Sequence, residues 1–266
     1  MQSQISDIPL EILEFIKDKP FHFNEIGMSD SQVICFDNMY LKIENASEES
    51  DNEHRIMTWL NGKIPVPKII CSNKVNKKNY LLMSRINGKM ACDEQYMQNP
   101  DLLVKLLADG LKMLWSVDIS DCHYDNSLCN KLQLAEQRVK LNLCSMEDVE
   151  KDTYGENGFK NPEDLLHWLK DNQPTEDIVF SHGDYCLPNI FFECDQISGF
   201  IDLGRSGKAD RYQDIALCYR SLVHNADGTY GGKVYSQLNP ERLFEELEIE
   251  PDWDKLKYYI LLDELF

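Results

Sequence analysis

One stretch constrains this chain more than any other. Ser181 to Gly204 reads Ser-His-Gly-Asp-Tyr-Cys-Leu-Pro-Asn-Ile-Phe-Phe-Glu-Cys-Asp-Gln-Ile-Ser-Gly-Phe-Ile-Asp-Leu-Gly. Two apolar runs, Asn189 to Phe192 and Ile197 to Ile201, are separated by Glu193, Cys194, Asp195 and Gln196, which is the pattern of a β-hairpin. The apolar strand Ile178-Val179-Phe180 leads into it. Three oxygen-bearing side chains are set out along the stretch: Asp184 and Asn189 before the hairpin, and Asp202 where it ends.

The spacing has a chemical reading. Asp184 and Asn189 stand five apart, as in the kinase catalytic loop H-R-D-x-x-x-x-N, where the Asp accepts the substrate hydroxyl proton and the Asn holds a metal. Gly183 takes the place of the Arg. Asp202-Leu203-Gly204 occupies the position of D-F-G, whose Asp binds the magnesium that bridges nucleotide phosphates. Magnesium takes oxygen ligands and keeps waters, so one Asn, one Asp and triphosphate oxygens complete a site without His or Cys. Each piece alone is ordinary loop polarity or a turn at a strand end. In this order, joined by a hairpin, they point to phosphoryl transfer.

At 266 residues, 42% hydrophobic and 27% charged, the chain is long enough for two packed units. It has no apolar run near membrane-span length and no basic segment followed by an apolar core at its start, so a cytoplasmic protein is expected. Nine cysteines without a C-x-x-C pair suit reduced, mostly buried thiols, and Cys186 is expected to pack rather than act as a nucleophile. A net charge of −19 argues against nucleic acid and anionic membrane surfaces as partners. It favours a cationic partner, though acidity also simply aids solubility.

Taken from the start, Ile5, Ile8, Ile12, Leu13, Phe15 and Ile16 recur at helical spacing, predicting an amphipathic helix that ends before Pro20. Gly27-Met28-Ser29-Asp30-Ser31, followed by Gln32 to Phe36 and Asn38 to Ile43, reads as strand, loop, strand. Such a Gly/Ser loop can cover phosphates with N–H groups and a hydroxyl, or be a simple hairpin turn. Lys42 shares a strand face with Tyr40. Ser50-Asp51-Asn52-Glu53 opens a helix on which Glu53, Ile56, Met57 and Leu60 form one face. A lone carboxylate on an apolar face wants a cation, and Lys42 is the candidate. The alternative is a capping box in which Glu53 bonds back to the Ser50 N–H.

Asn61-Gly62 stops that helix, and Ile64-Pro65-Val66-Pro67 is extended. Pro67 to Cys71 and Tyr80 to Ile86 read as strands flanking a basic turn, Ser72 to Asn79. Asn87-Gly88-Lys89 then forms a linker, which sets a nucleotide-binding unit over 1–87 and a catalytic and substrate unit over 88–266. The base of a nucleotide would bond to the backbone of Ser84 to Ile86. Residues 100–118 carry the apolar stripe of a buried helix, and Leu128 to Leu143, Pro162 to Asp171 and Asp214 to Leu222 are helical, as is a last segment from near Pro251. Residues 145–158 are polar enough to be expected unpacked, and residues 225–237 to form a mobile surface loop. Asp263 and Glu264 place negative charge at a helix C-terminus, which opposes the macrodipole by about 0.3–1 kcal/mol per charge, so a bound cation would relieve it.

With these residues in hand, the chain resembles the aminoglycoside 3′-phosphotransferases, bacterial resistance kinases, over nearly all of its length. The stretches that carry the likeness are Leu60 through Ile64-Pro65-Val66-Pro67, Phe180-Ser-His-Gly-Asp to Asn189, Ser198-Gly-Phe-Ile-Asp-Leu-Gly-Arg-Ser-Gly to Asp210, and Lys257-Tyr-Tyr-Ile-Leu-Leu-Asp-Glu-Leu-Phe266. That last decapeptide is similar to the terminus of the 3′/5″-type enzymes of Gram-positive bacteria. The resemblance implies an α+β, two-lobed protein-kinase-like fold, with a small N-lobe of antiparallel sheet and helix and a larger, mainly helical C-lobe. It implies ATP with two Mg2+ ions as cofactors, and the 3′-hydroxyl of kanamycin- and neomycin-type aminoglycosides as acceptor. Asp184 would be the catalytic base, Asn189 and Asp202 the metal ligands, and Lys42 with Glu53 the pair that positions the phosphates. Met28 and Ser29 would cover the phosphates, Tyr40 would stack on adenine, Ser84 and Ile86 would be hinge positions, and Phe191 and Ile201 would lie under the base. Arg205 would be an active-site arginine, and Asp263, Glu264 and the Phe266 carboxylate would bind the drug's ammonium ions. Two segments depart from the family pattern: 145–158 does not align residue by residue with its drug-binding loop, and 225–237 looks like an insertion.

Three other readings fit less of the sequence. A protein kinase would carry the loop arginine, Phe-Gly after the metal-binding Asp and an Ala-Pro-Glu downstream. A kinase for another amino-alcohol or amino-sugar would keep the same catalytic residues, so that only the C-terminal carboxylates separate it. A non-catalytic nucleotide-binding protein would have lost Lys42, Asp184, Asn189 or Asp202, and all four are present.

Overall fold

The structure, a computed structural model, describes residues 8–23, 31–146 and 149–266. Period-two alternation builds its small lobe. His22–Phe23 (β1), Gln32–Cys35 (β2), Met39–Asn45 (β3), Ile69–Val75 (β4) and Lys78–Ser84 (β5) form an antiparallel sheet in the order β1-β2-β3-β5-β4. On the central strand Met39, Leu41 and Ile43 are buried, and Tyr40 and Lys42, half-buried, take the opposite face. The first face packs on the helix Leu10–Ile16 (α1), where Ile8, Ile12 and Ile16 meet Ile34, Leu41, Ile43 and Leu82. The other face carries Lys42 to Glu53 of the helix Glu48–Leu60 (α2).

The structure moves several expected boundaries. The first helix begins at Leu10 because Pro9 precedes it, Phe15 is 43% exposed and so lies off the buried face, and Ile5 lies outside the described residues. The second helix opens at Glu48 rather than Ser50: a capping box is present, formed by Ser47 with Ser50, which leaves Glu53 free to face Lys42. β4 runs longer than expected and β5 begins and ends two residues earlier, and they are joined through Asn76 and Lys77, both at positive φ (52° and 62°), a two-residue turn whose twist matches the strands. Cys194 and Asp195 close the later hairpin in the same way.

The larger lobe is mostly helical. Glu94–Met97 (α3), Pro100–Trp115 (α4), Leu128–Lys140 (α5), Pro162–Asp171 (α6), Arg211–Ala226 (α7), Arg242–Leu247 (α8) and Trp253–Asp263 (α9) surround two small sheets. In one, Lys89–Met90 (β6) pairs with Ile190–Glu193 (β8), which pairs with Gln196–Phe200 (β9). In the other, Ile178–Ser181 (β7) pairs with Gly207–Asp210 (β10), so that both ends of the Ser181 to Gly204 stretch are held side by side. α4 buries Leu103, Leu107, Leu111 and Leu114 along one stripe. α5 ends at Lys140, three residues short of the expected limit.

The two polar segments are largely exposed, and each is held at a few residues. In 145–158 Thr153 is buried and Tyr154 packs on the core and bridges to Phe159; Glu147 and Asp148 lie outside the described residues. Residues 225 and 226 belong to α7, and the chain beyond folds back on it through Tyr230 N to His224 O and Tyr235 N to Ala226 O. In each case an aromatic residue within a polar run supplies the anchor. All nine cysteines are free thiols, and among the described residues no helix is long and apolar enough to cross a membrane.

Candidate active site

A buried carboxylate sets the entry to the loop that follows β7. Asp214, on α7, accepts hydrogen bonds from Ser181 Oγ (2.9 Å), His182 N (2.7 Å) and Gly183 N (2.9 Å). Burial pushes its pKa up, and these donors pull against that. Gly183 sits at φ +83°, and a Cβ there would stand 2.0 Å from Arg205 O, so a side chain has no room where kinases carry arginine. His182 Nδ1 accepts from Asp184 N (3.3 Å), which leaves Nε2 as the donor to Ile201 O (3.0 Å). One imidazole therefore spans from the residue before Gly183 to the residue before Asp202.

Asp184 is held by its own loop. Asn189 Nδ2 donates to Asp184 Oδ2 (2.9 Å) and to its main-chain oxygen (3.0 Å), and Cys186 Sγ lies 3.0 Å from Oδ1. Burial, and then the Asp184 charge, push the Cys186 thiol well above its ordinary range, so it is the donor.

Across the cleft Lys42 joins three carboxylates: Glu53 Oε2 at 2.8 Å, Asp202 Oδ1 at 3.0 Å and Glu44 Oε2 at 3.6 Å. Burial alone would lower the Lys42 pKa, but these charges outweigh it and raise it. Asp202 is the most open of the three, its side chain 46% exposed against 3% for Glu53. Burial opposes its charge, yet the Lys42 charge and hydrogen bond hold its carboxyl below the usual range. Its backbone is left-handed (φ 59°, ψ 57°), a conformation that a non-glycine residue adopts at some strain.

The two lobes meet at the turn after Asp202. Asn52 Nδ2 of α2 donates to Gly204 O (2.8 Å) and Ser206 O (3.0 Å), and Arg205 Nε pairs with Glu49 of the same helix (3.1 Å). Asn126 Nδ2 holds Arg205 O from the other side (2.8 Å). Of the residues expected around a nucleotide base, Tyr40 lies on the Lys42 face of β3, and Ser84 Oγ accepts from Lys68 N (2.9 Å) at the end of β5. Ile86 packs on Gly199, which pairs with Phe191 across the hairpin, and Ile201 N donates to Asn189 O (3.0 Å). Met28 and Ser29 lie outside the described residues.

Comparison with known proteins agrees with this geometry. Residues 27–258 match the phosphotransferase enzyme family. The chain is 41% identical over 253 residues to an aminoglycoside 3′-phosphotransferase of Enterococcus faecalis, covering 90% of this chain and 91% of that one. It is 38% identical to another from Niallia circulans over the full length of both. The chain belongs to the aminoglycoside 3′-phosphotransferase family. Among solved structures, an aminoglycoside-3′-phosphotransferase of type VIII superposes with a TM-score of 0.78 at 26% identity, covering 96% of this chain and 97% of the other. The aminoglycoside phosphotransferase APH(3″)-Id from Streptomyces rimosus, in complex with ADP and streptomycin, shares the fold, with a TM-score of 0.77 at 24% identity over 96% and 95% of the two chains.

In this phosphotransferase the acidic end of α9 is already partnered by the chain itself. Asp263 lies half-buried, its side chain 14% exposed, between Arg220, which hydrogen-bonds to it, and Arg205, 3.6 Å away. Burial opposes its charge, but Arg220, Arg205 and Lys131 hold its carboxyl low. Glu264 has Arg220 at 3.4 Å and the Glu150 N–H at 3.4 Å, and burial pushes its pKa up to about 7. Arg138 donates to the main-chain oxygens of Leu265 and Phe266, both at 2.7 Å. The helix-end charge that an external cation was expected to relieve is thus partly met from within the chain, which leaves Glu264, sharing Arg220 with Asp263, the less compensated of the two. Glu150 also bonds to His224 (2.6 Å), which ties segment 145–158 to α7 beside this cluster.

Sequence reasoning did not single out Asp214, Asn52, Arg220 or Lys131. For Asp214 a signal existed, since it is a carboxylate beside the apolar run Ile215-Ala216-Leu217. Asn52 and Arg220 reach across more than forty positions of chain, and nothing local marks them.

Proposed function

We propose that this phosphotransferase transfers the γ-phosphoryl group of ATP to the 3′-hydroxyl of kanamycin- and neomycin-type aminoglycosides and so confers resistance to them. The carrying observation is the pairing of Lys42 with both Glu53 and Asp202, opposite an Asp184 carboxylate held by Asn189. The named relatives support the acceptor class, and the net charge of −19 suits a polycationic one.

Residues 1–87 would hold the nucleotide, with adenine against Tyr40, Ser84, Ile86, Phe191 and Ile201 and the phosphates under Met28 and Ser29. Residues 88–266 would supply the base and the acceptor site. Lys42, oriented by Glu53, neutralises phosphate oxygens. Asp184 accepts the proton of the 3′-hydroxyl as its oxygen attacks the γ-phosphorus in line, and ADP leaves. Asn189 and the ionised, half-exposed Asp202 offer the hard oxygen donors that magnesium takes. Two bound magnesium ions would supply positive charge to the β- and γ-phosphates. Asp263, Glu264 and Phe266 would receive the drug's ammonium groups near Arg205. We place the enzyme in the cytoplasm, where ATP is made.

The test is ADP release by purified protein given ATP, magnesium and kanamycin, run beside Asp184→Ala and beside an aminoglycoside that lacks the 3′-hydroxyl. Drug-dependent turnover lost in both controls is expected. No turnover with any aminoglycoside, despite nucleotide binding, would refute the acceptor assignment and turn the search to other amino-alcohols or amino-sugars.

A further inference from the structure

We propose that the thiol of Cys186 is a positioning residue for Asp184, holding its carboxylate in the orientation that receives the acceptor proton. The proposal rests on the reading of Asp184 as the base. Each oxygen of that carboxylate has one donor from the same loop: Cys186 Sγ on Oδ1 at 3.0 Å and Asn189 Nδ2 on Oδ2 at 2.9 Å. The group cannot turn about its bond to Cβ without breaking one of them.

The donor is itself held firmly. Cys186 N donates to Asp184 O (2.9 Å), Cys186 O accepts from Asn189 N (2.9 Å), and the next residue, Leu187, donates its N–H to the buried Ser221 Oγ (3.1 Å). The chain from Asp184 to Asn189 is thus closed on itself and pinned to α7. Restraint is needed here because the charges of Arg205 and Lys131 both act on Asp184, so a carboxylate free to rotate has cations to turn toward. A thiol suits the task. It is a neutral donor that orients the anion without adding a further positive charge beside it.

Two measurements test this. The S–H stretch falls in an infrared window clear of other protein absorption, and the difference spectrum of wild type minus Cys186→Ser isolates this thiol from the rest of the nine. Its band should be displaced to lower frequency than that of a free thiol and return toward the free position in Asp184→Ala. In turnover, Cys186→Ala should lower kcat about five- to thirtyfold, the weak-donor end of a hydrogen bond to a charged group, with KM for ATP and kanamycin within about twofold. Cys186→Ser, which keeps a donor, should stay within about threefold of wild type. If the alanine protein melts below the assay temperature, the Thr and Val replacements, equal in shape and differing in the hydroxyl, take the place of Ser and Ala under the same criterion. An undisplaced band, an alanine protein with wild-type kcat, or a serine protein as slow as the alanine one each overturns the proposal. A displaced band in a wild-type protein that phosphorylates no aminoglycoside overturns the functional reading instead, and the positioning role with it.

Discussion

Replacing Asp214 should reveal how far the active loop depends on one buried side chain. In Asp214→Ala, Gly183 N keeps a partner, because Ser181 Oγ also lies 3.1 Å from it, but His182 N is orphaned and the Ser181 hydroxyl loses its charged acceptor. An orphaned buried N–H costs about 1–3 kcal/mol, and loss of a hydrogen bond to a charged group a further 1.5–3 kcal/mol or so. Release of a carboxylate whose pKa burial holds up returns part of this, so a net loss of about 2–4 kcal/mol is expected. Asp214→Asn keeps the shape and can still accept from Ser181 and Gly183, but its amide then faces the His182 N–H across 2.7 Å, donor against donor. It should lose about 2–3 kcal/mol. Urea unfolding followed by tryptophan fluorescence measures both, and kcat should fall in each because His182 and Gly183 aim Asp184. Two variants within about 0.5 kcal/mol of wild type, the range of ordinary surface changes, would show that the three hydrogen bonds do not anchor the loop.

Three other outcomes are expected. Burial lowers the Lys131 ammonium to about 8 from 10.5; a group depressed in the fold adds stability above its unfolded pKa and loses it as pH falls through the folded one. At pH 7 the charge therefore opposes folding, and Lys131→Met should raise the urea midpoint by a margin worth about 1–3 kcal/mol, allowing for lost attraction to Asp263, with the gain gone by about pH 10.5. Glu264 is the opposite case: its raised carboxyl favours the fold at low pH and loses that contribution as pH rises through about 7, while it gains the charge that attracts an ammonium. KM for kanamycin should accordingly fall between pH 6 and 8 by roughly two- to tenfold in wild type and stay flat in Glu264→Gln. Gly183→Ala, with its Cβ 2.0 Å from Arg205 O and φ at +83°, should lose soluble expression or drop its melting point by several degrees; a variant with wild-type stability and turnover would contradict the close approach.

Where sequence and structure agree, short-range chemistry decides the outcome. The hairpin between Asn189 and Asp202, the strand face shared by Tyr40 and Lys42, and the stop at Asn61-Gly62 each follow from periodicity or turn preference. Lys42 and Glu53 were paired by reasoning that a carboxylate on an apolar helix face needs a cation, and they stand 2.8 Å apart. The same reasoning applied to Asp214 would have found an anchor, except that its partners are mainly backbone N–H groups, which no side-chain pattern displays. Segments 145–158 and 225–237 are largely exposed, but each is held at a few points that composition does not show. Their mean polarity is high, but single residues such as Thr153, Tyr154 and Tyr235 do the packing. Composition averages over the few side chains that decide whether a loop is held.

Asp263, half-buried, and Glu264, buried, are adjacent carboxylates, yet their pKa values shift in opposite directions. Burial penalises both charges, so the difference lies in what each carboxylate meets. Asp263 has a hydrogen bond from Arg220, Arg205 at 3.6 Å and the nearby charge of Lys131. Glu264 has the other terminal nitrogen of Arg220 at 3.4 Å and the Glu150 N–H at 3.4 Å, and stands near the negative charges of Asp263 and Glu150. Asp263 is therefore held toward its charged form, whereas its neighbour takes up or releases a proton at about 7. Arg205, which Asp263 helps to hold, reaches Glu49 on α2 as well, so the carboxylate held toward its charged form is the one linked to the small lobe. The arrangement assigns structure to Asp263 and adaptability to Glu264: removing the first should unsettle the contact between the lobes, whereas neutralising the second should alter what the acidic end of the helix attracts and remove its pH-dependent share of stability.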